Sequence, residues 1–286
     1  MDSESDSEEY IQNTLITISY SLIVIVSLVG NTLVFKTIAF QPKMRNSTNM
    51  LIAVLAVSDL LMTTFNIPFT VVDIILTDWI FGQFFCTSVA FVQANCVYVS
   101  SFTMAVIAIN RWRAVYKTRP QQSNRSDNKL SAHFIILLLM IWLLAALHAL
   151  PHTIFNVIRV YPGNIRRCIT QLPDSEYNLR IILTLVTFVT QYLIPLSCAG
   201  IIYTRIAFTI LSQGRVGEAT EDRARQITSK KRRRIAMLIL VVTIFALCWL
   251  PFNIYYFLLD FGVIKRANYY IFLFCHWLAM SSVCYK

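Results

Sequence analysis

Apolar positions in this chain come in long blocks rather than in the short alternations of a soluble domain. Residues 15–35, 84–110, 130–158, 181–204, 235–259 and 267–285 carry no charged side chain, and 50–72 is interrupted only by Asp59. Each block is near or above the ~20 residues that cross a ~30 Å hydrocarbon core at ~1.5 Å per residue. Lipid offers no partner to a peptide N–H or C=O, so a spanning segment must bond internally and be helical. The pattern predicts an all-α membrane protein: a seven-transmembrane helix bundle at 15–286, with spans near 15–40, 50–76, 83–116, 130–155, 179–211, 230–260 and 267–286. A polar, acidic tail at 1–14 is expected to be disordered, and cytoplasmic loops are expected near 41–49, 116–129 and 212–229. One segment departs from the helical pattern. Residues 157–160 and 165–170 flank Tyr161-Pro162-Gly163-Asn164, where Pro and then Gly suit a type II turn, so an outer hairpin is expected.

Composition agrees with the pattern. Hydrophobic residues make up 56% of the 286 and charged residues 14%, well below the roughly 25% charged residues of soluble domains. The first ten residues carry Asp2, Glu4, Asp6, Glu8 and Glu9 and no base, the reverse of a cleavable signal's basic start. The N-terminus is therefore placed outside. Only Arg159, Arg166, Arg167, Arg180, Lys265 and Arg266 then fall on the outer side, and the other 19 of 25 basic residues lie inside, as the cytoplasmic preference of Lys and Arg requires. The +10 net charge reflects loops facing anionic lipid and calls for no nucleic acid.

Seven cysteines show no C-x-x-C spacing and suggest no metal site. Cys86 and Cys168 are the two placed near loops on the oxidising side, and a disulfide between them is expected. Cys96, Cys198, Cys248, Cys275 and Cys284 read as small packing residues within the membrane. No nucleophile–base pair or phosphate-binding loop appears, so an enzyme is not expected.

Asp59 is a carboxylate inside a span, which is costly and by default functional. Pro251, following Trp249-Leu250, removes a ladder hydrogen bond and kinks its helix. These residues belong to a longer series: Gly30-Asn31, Leu55-Ala56-Val57-Ser58-Asp59, Asn110-Arg111-Trp112, Trp142, Pro195 with Tyr203, and Phe245 with Cys248-Trp249-Leu250-Pro251. In that order, on those helices, the series resembles the rhodopsin (class A) family of G-protein-coupled receptors over nearly the whole chain.

The resemblance implies a plasma-membrane, multi-pass receptor that couples to a heterotrimeric G protein through the cytoplasmic ends of helices three, five and six. It implies a switch in which Phe245, Trp249 and Pro251, with Pro195 and Tyr203 on helix five, let the inner half of helix six swing outward. Core packing by the same aromatics does not conflict with this. It implies an allosteric sodium ion among Asp59, Asn31 and Ser100; a neutral, hydrogen-bonded Asp59 that joins helices is the alternative. No other cofactor is expected. Arg111 is the coupling arginine, but Asn110 stands where the family usually has an acid and Trp112 where it usually has Tyr. An amide cannot supply the charge, so a weakened resting lock and raised basal activity are expected.

Ligand class follows by further resemblance. Gln93 stands where amine receptors carry Asp, and helix seven holds no Lys for retinal. Gln93, Asp260 and His276 resemble the neuropeptide Y group, whose peptides end in Arg and an amidated aromatic, and Cys275–Ser282 resembles leucokinin-like invertebrate neuropeptide receptors. The expected contact set is Gln93, Asn253, Tyr256, Asp260 and His276, with Asp260 pairing the ligand arginine. A solvated acid at a helix end is the bland reading of Asp260. The acidic tail steers a basic peptide or merely enforces topology. The family continues helix seven with Asn-Pro-x-x-Tyr, whereas here Lys286 stands where that motif begins, its ammonium expected to reach toward Asp59 or the cytoplasmic interface. A truncated, signalling-deficient isoform, or an incomplete gene model lacking the end of helix seven, is therefore the second expectation.

Overall fold

The computed structural model of the chain describes residues 2–116, 132–172, 177–212, 221–264 and 268–285. Lys286, residues 117–129 of the second expected cytoplasmic loop and 213–220 of the third lie outside the described residues. Nine α-helices and one hairpin follow in order: α1 (Asp2–Phe40), α2 (Ser47–Phe65), α3 (Ile67–Leu76), α4 (Gly82–Tyr116), α5 (Ala132–Thr153), β1 (Asn156–Tyr161), β2 (Ile165–Thr170), α6 (Tyr177–Thr187), α7 (Ile194–Ser212), α8 (Glu221–Asp260) and α9 (Tyr269–Ser281). Among these residues six helical stretches are long and apolar enough to cross a membrane: Tyr10–Phe40, Ser47–Leu76, Gly82–Val115, Ala132–Pro151, Leu179–Thr209 and Ile235–Asp260. The seventh apolar stretch, Tyr269–Cys284, is shorter.

Two spans are built from more than one element, and proline is the cause in each. Asn66 separates α2 from α3, where Pro68 occupies the first turn of the new helix. In the fifth span a π segment, Phe188–Leu193, joins α6 to α7. There the Ile194 N–H reaches back five residues to the Val189 carbonyl. The wider turn falls just before Pro195, which has no N–H to continue an α ladder.

Two expectations are corrected. The tail at 2–14, expected to be disordered, continues α1 as helix; an acid-rich start suits the positive end of the helix dipole. Residues 221–229, expected as loop, begin α8; Arg223, Ala224, Arg225 and Gln226 are good helix formers.

The long α4 lies at the centre, packed against α2, α5 and α7. Its inner face carries the fully buried Tyr98, Val99, Thr103 and Ile107. The lipid-facing sides are apolar as well: Leu15, Ile18 and Leu22 on α1 and Leu139, Leu143 and Leu147 on α5 are more than half exposed. In water such a surface would aggregate; in a bilayer it is the solvent-matched face.

The expected hairpin is present, with Asn156 opposite Thr170 and Tyr161 opposite Ile165. Its loop is the three residues Pro162, Gly163 and Asn164. Gly163 takes φ +85°, as the turn demands, and Asn164 adds a second left-handed residue at +63°, a conformation Asn tolerates. The expected disulfide joins Cys86 at the outer end of α4 to Cys168 on β2. Outside that bond, the Trp79 N–H donates to the Arg166 carbonyl at 2.8 Å. Asp78 accepts from the Arg166 backbone N–H at 2.7 Å and from its guanidinium Nη2 at 2.6 Å. The guanidinium holds the Asp78 carboxyl below the usual carboxylate range. The hairpin is thereby pinned across the outer ends of the second and third spans.

Candidate functional site

Beneath the hairpin the helices leave a cavity of about 520 Å³, a size that suits the end of a peptide or a small molecule. Its roof comes from Asn156 and from Cys168, Ile169 and Thr170 of β2, one wall from α4 (Gln93, Val97, Tyr98) and another from α6 and the π segment (Arg180, Thr184, Phe188, Gln191). The opposite wall is α8, with Trp249, Phe252, Asn253, Tyr256 and Asp260 in succession along one face.

Four of the five expected contact residues are thus brought together: Gln93, Asn253, Tyr256 and Asp260 all line the cavity. Gln93 accepts from Asn66 Nδ2 at 3.0 Å through its carbonyl oxygen, so the break between α2 and α3 orients the cavity's central amide. Asn253 donates through Nδ2 to the Trp249 carbonyl at 2.8 Å, within the turn that Pro251 disrupts. Asp260, only 9% exposed, accepts from Thr184 Oγ1 at 2.5 Å. Arg180 Nη1 lies 3.9 Å from its other oxygen.

His276 is placed elsewhere. It is 2% exposed, its Nδ1 lies 2.8 Å from the Tyr20 hydroxyl, and its ring stacks on Phe272. It meets Tyr20 of α1 on one side and lies behind the cavity residue Phe252, 6.2 Å between ring centroids, without lining the cavity itself.

The expected switch residues lie directly below. Trp249 is at the cavity floor, with Phe245 beneath it at 6.0 Å between ring centroids. Trp249 Nε1 donates to Ser282 Oγ at 3.1 Å, tying α8 to the turn at Ser282–Cys284. Tyr203 is buried with Ala108, Ala199, Ile206 and Ile235 between the inner halves of α4, α7 and α8. Asn110 and Arg111 are half-buried at the cytoplasmic end of α4, and Trp112 is 39% exposed.

Asp59, Asn31 and Ser100 are all buried at mid-span. Hydrogen bonds run from Asn31 Nδ2 to Ser27 Oγ (3.1 Å), between the Ser27 and Thr63 hydroxyls (2.6 Å), and from Thr63 Oγ1 to the Asp59 carbonyl (2.7 Å). Asn31 also donates to the Val283 carbonyl at 3.0 Å, and Ser58 Oγ lies 3.4 Å from Ser100 Oγ. One carboxylate among hydroxyl and carbonyl oxygens is a donor set that suits a hard cation.

Sequence reasoning missed Arg180 and Thr184. The signal was present: Arg180 is the one charged residue in α6, at the mouth of an otherwise apolar span. It also missed Asn66 and Tyr20, whose partners lie 27 and 256 residues away.

The family described as 7 transmembrane receptor (rhodopsin family) matches residues 30–286. The chain is 31% identical to the RYamide receptor of Tribolium castaneum over 279 residues, covering 93% of this chain and 74% of that protein. It is 31% identical to the neuropeptide Y receptor type 1 of Xenopus laevis, covering 94% and 74%. It is also 31% identical to the neuromedin-K receptor of Oryctolagus cuniculus, covering 94% of this chain but only 56% of that receptor, so it spans little more than half of that relative's length.

Proposed function

The chain belongs to the rhodopsin family of seven-transmembrane receptors, multi-pass proteins of the plasma membrane, and from that premise we propose that it is the receptor for an extracellular neuropeptide. The single observation that carries this reading is the convergence of Gln93, Asn253, Tyr256 and Asp260 on one cavity under a disulfide-pinned hairpin. The relatives' names support the ligand class, since they are receptors for RYamide, neuropeptide Y and neuromedin K.

The ligand on this reading is an amidated peptide ending in Arg and an aromatic residue. Its guanidinium pairs with Asp260, a charge-assisted and often bidentate contact. The neutral amides Gln93 and Asn253 meet the C-terminal amide, and Tyr256, Phe252 and Trp249 receive the aromatic ring. Pressure on Trp249 acts at the turn where Pro251 has already removed a ladder bond, so helix six bends there at least cost. The inner half of α8 moves, and a heterotrimeric G protein engages the cytoplasmic ends of helices three, five and six, with Arg111 among its contacts. Asp59, with Asn31 and Ser100, would hold the sodium ion, which would supply a counter-charge to the buried carboxylate.

The test is a screen of amidated Arg-aromatic peptides against the full chain in cells, reading binding and second messenger separately. Saturable binding that Asp260→Asn weakens at least tenfold supports the reading. No response to any peptide of this class removes it.

A further inference from the structure

Asp260 is not an empty acceptor. Burial to 9% exposure would be costly for an unpaired carboxylate. Two neighbours on α6, one turn apart, compensate it: Thr184 at 2.5 Å and the Arg180 guanidinium at 3.9 Å. The geometry is asymmetric. The Arg180 side chain is 47% exposed, so it holds Asp260 from the solvent side and can swing outward without a cavity forming behind it. Among the described residues that line the cavity, Arg180 and Asp260 are the charged ones.

We propose that Arg180 is a specificity-determining residue which occupies the Asp260 subsite in the ligand-free receptor and competes there with the ligand's own cation. The inference rests on the neuropeptide reading above and adds a regulator to that site. A ligand guanidinium gains only the difference between its contact with Asp260 and the one it displaces. A lone ammonium, held as a point charge without the planar fork, displaces Arg180 poorly. The internal pair therefore selects against simple amines while admitting arginine peptides.

The probes are N-acetyl-Arg-Phe-amide and its citrulline counterpart, which keeps the shape and loses the charge. Binding is measured on the full chain for the parent, Arg180→Gln, Arg180→Lys and Asp260→Asn, with thermal unfolding in detergent checking each fold. A partly exposed ion pair of this kind is worth ~0.2–1 kcal/mol, so Arg180→Gln is expected to tighten the arginine probe by about 1.4-fold to fivefold. The citrulline probe should be unmoved, and the gain should vanish when Asp260→Asn is added. Arg180→Lys, which retains a charge but competes less well than the guanidinium, should fall between the parent and Arg180→Gln. If the parent binds the arginine probe and Arg180→Gln binds it equally or more weakly, the competitor role is overturned while the neuropeptide reading stands. If neither parent nor Arg180→Gln binds any amidated arginine peptide, the neuropeptide reading falls and the inference with it.

Discussion

The Tyr20 hydroxyl and His276 Nδ1 meet at 2.8 Å inside the bundle, joining the first membrane helix to the seventh. Asn31 makes a second such bond to the Val283 carbonyl and Cys284 Sγ a third to the Ile23 carbonyl, so the short seventh span is fastened to α1 at several depths. Tyr20→Phe should strand a buried imidazole nitrogen and cost about 1 kcal/mol, a loss of a few degrees in thermal unfolding of the solubilised protein. Peptide affinity should stay within about twofold, because neither residue lines the cavity. A large fall in affinity with unchanged thermal stability would return His276 to the ligand's contact set.

What the sequence made legible was whatever depends on neighbours along the chain. Most of the span lengths and the Tyr161–Asn164 turn follow from local composition. The disulfide was legible because topology left two cysteines near loops on one side. Gln93 and Asp260 were singled out by resemblance alone, and the structure sets them with Asn253 and Tyr256 around one cavity. The bond between His276 and Tyr20 was not legible, because the partner lies 256 residues away and no periodicity in α9 shows it. Arg180 was counted only as an outer charge, since its meaning comes from a contact 80 residues distant.

The disulfide between Cys86 and Cys168 anchors the strand that roofs the cavity. Replacing either cysteine by serine should leave the helical content of the solubilised protein intact by circular dichroism. It should weaken peptide binding by roughly tenfold or more, since the hairpin must then be ordered at the moment of association. Equal affinity in the double-serine variant would show that the hydrogen bonds of Asp78, Trp79 and Gln83 to the hairpin suffice.

Asp78 gives the hairpin a pH profile. Hydrogen bonds from Arg166 hold its carboxyl below the usual range. The folded form therefore binds its proton less readily than the unfolded form, and the stabilisation is present above an ordinary Asp value near ~3.9. It is lost only as pH falls through the lower, folded value. Hairpin protection from hydrogen exchange, corrected for intrinsic rates, should be flat from pH ~8 to ~5 and fall below ~4. Asp78→Asn should lower the plateau and remove the acid step; a parent that loses protection near neutral pH would contradict this assignment.

Asn110 precedes Arg111 at the cytoplasmic end of α4, at a position where the resemblance implies an acid. Restoring one with Asn110→Asp should favour the resting arrangement by ~0.2–1 kcal/mol, lowering basal second-messenger output by up to about fivefold in cells at matched surface expression. Unchanged basal output would mean that the lock is not the missing element.

Tyr192 connects the cavity to the helix six kink without touching the ligand space itself. Its ring stacks on Phe188, a cavity residue, at 5.5 Å and 20° between planes. Its hydroxyl donates across to the Ala246 carbonyl at 2.9 Å, five residues before Pro251 and one after Phe245. A ligand that displaces Phe188 therefore moves a side chain bonded directly to the bending helix. Tyr192→Phe keeps the stack and removes the bond. Peptide affinity should remain within about twofold, as expected for a group outside the binding surface, while maximal second-messenger response falls. Tyr192→Ala removes the stack as well, and should lower affinity and response together. A Tyr192→Phe receptor with the parent's maximal response would place the transmission elsewhere, and Trp249, bonded to Ser282 at 3.1 Å, would then be the remaining route from the cavity floor to the inner half of the bundle.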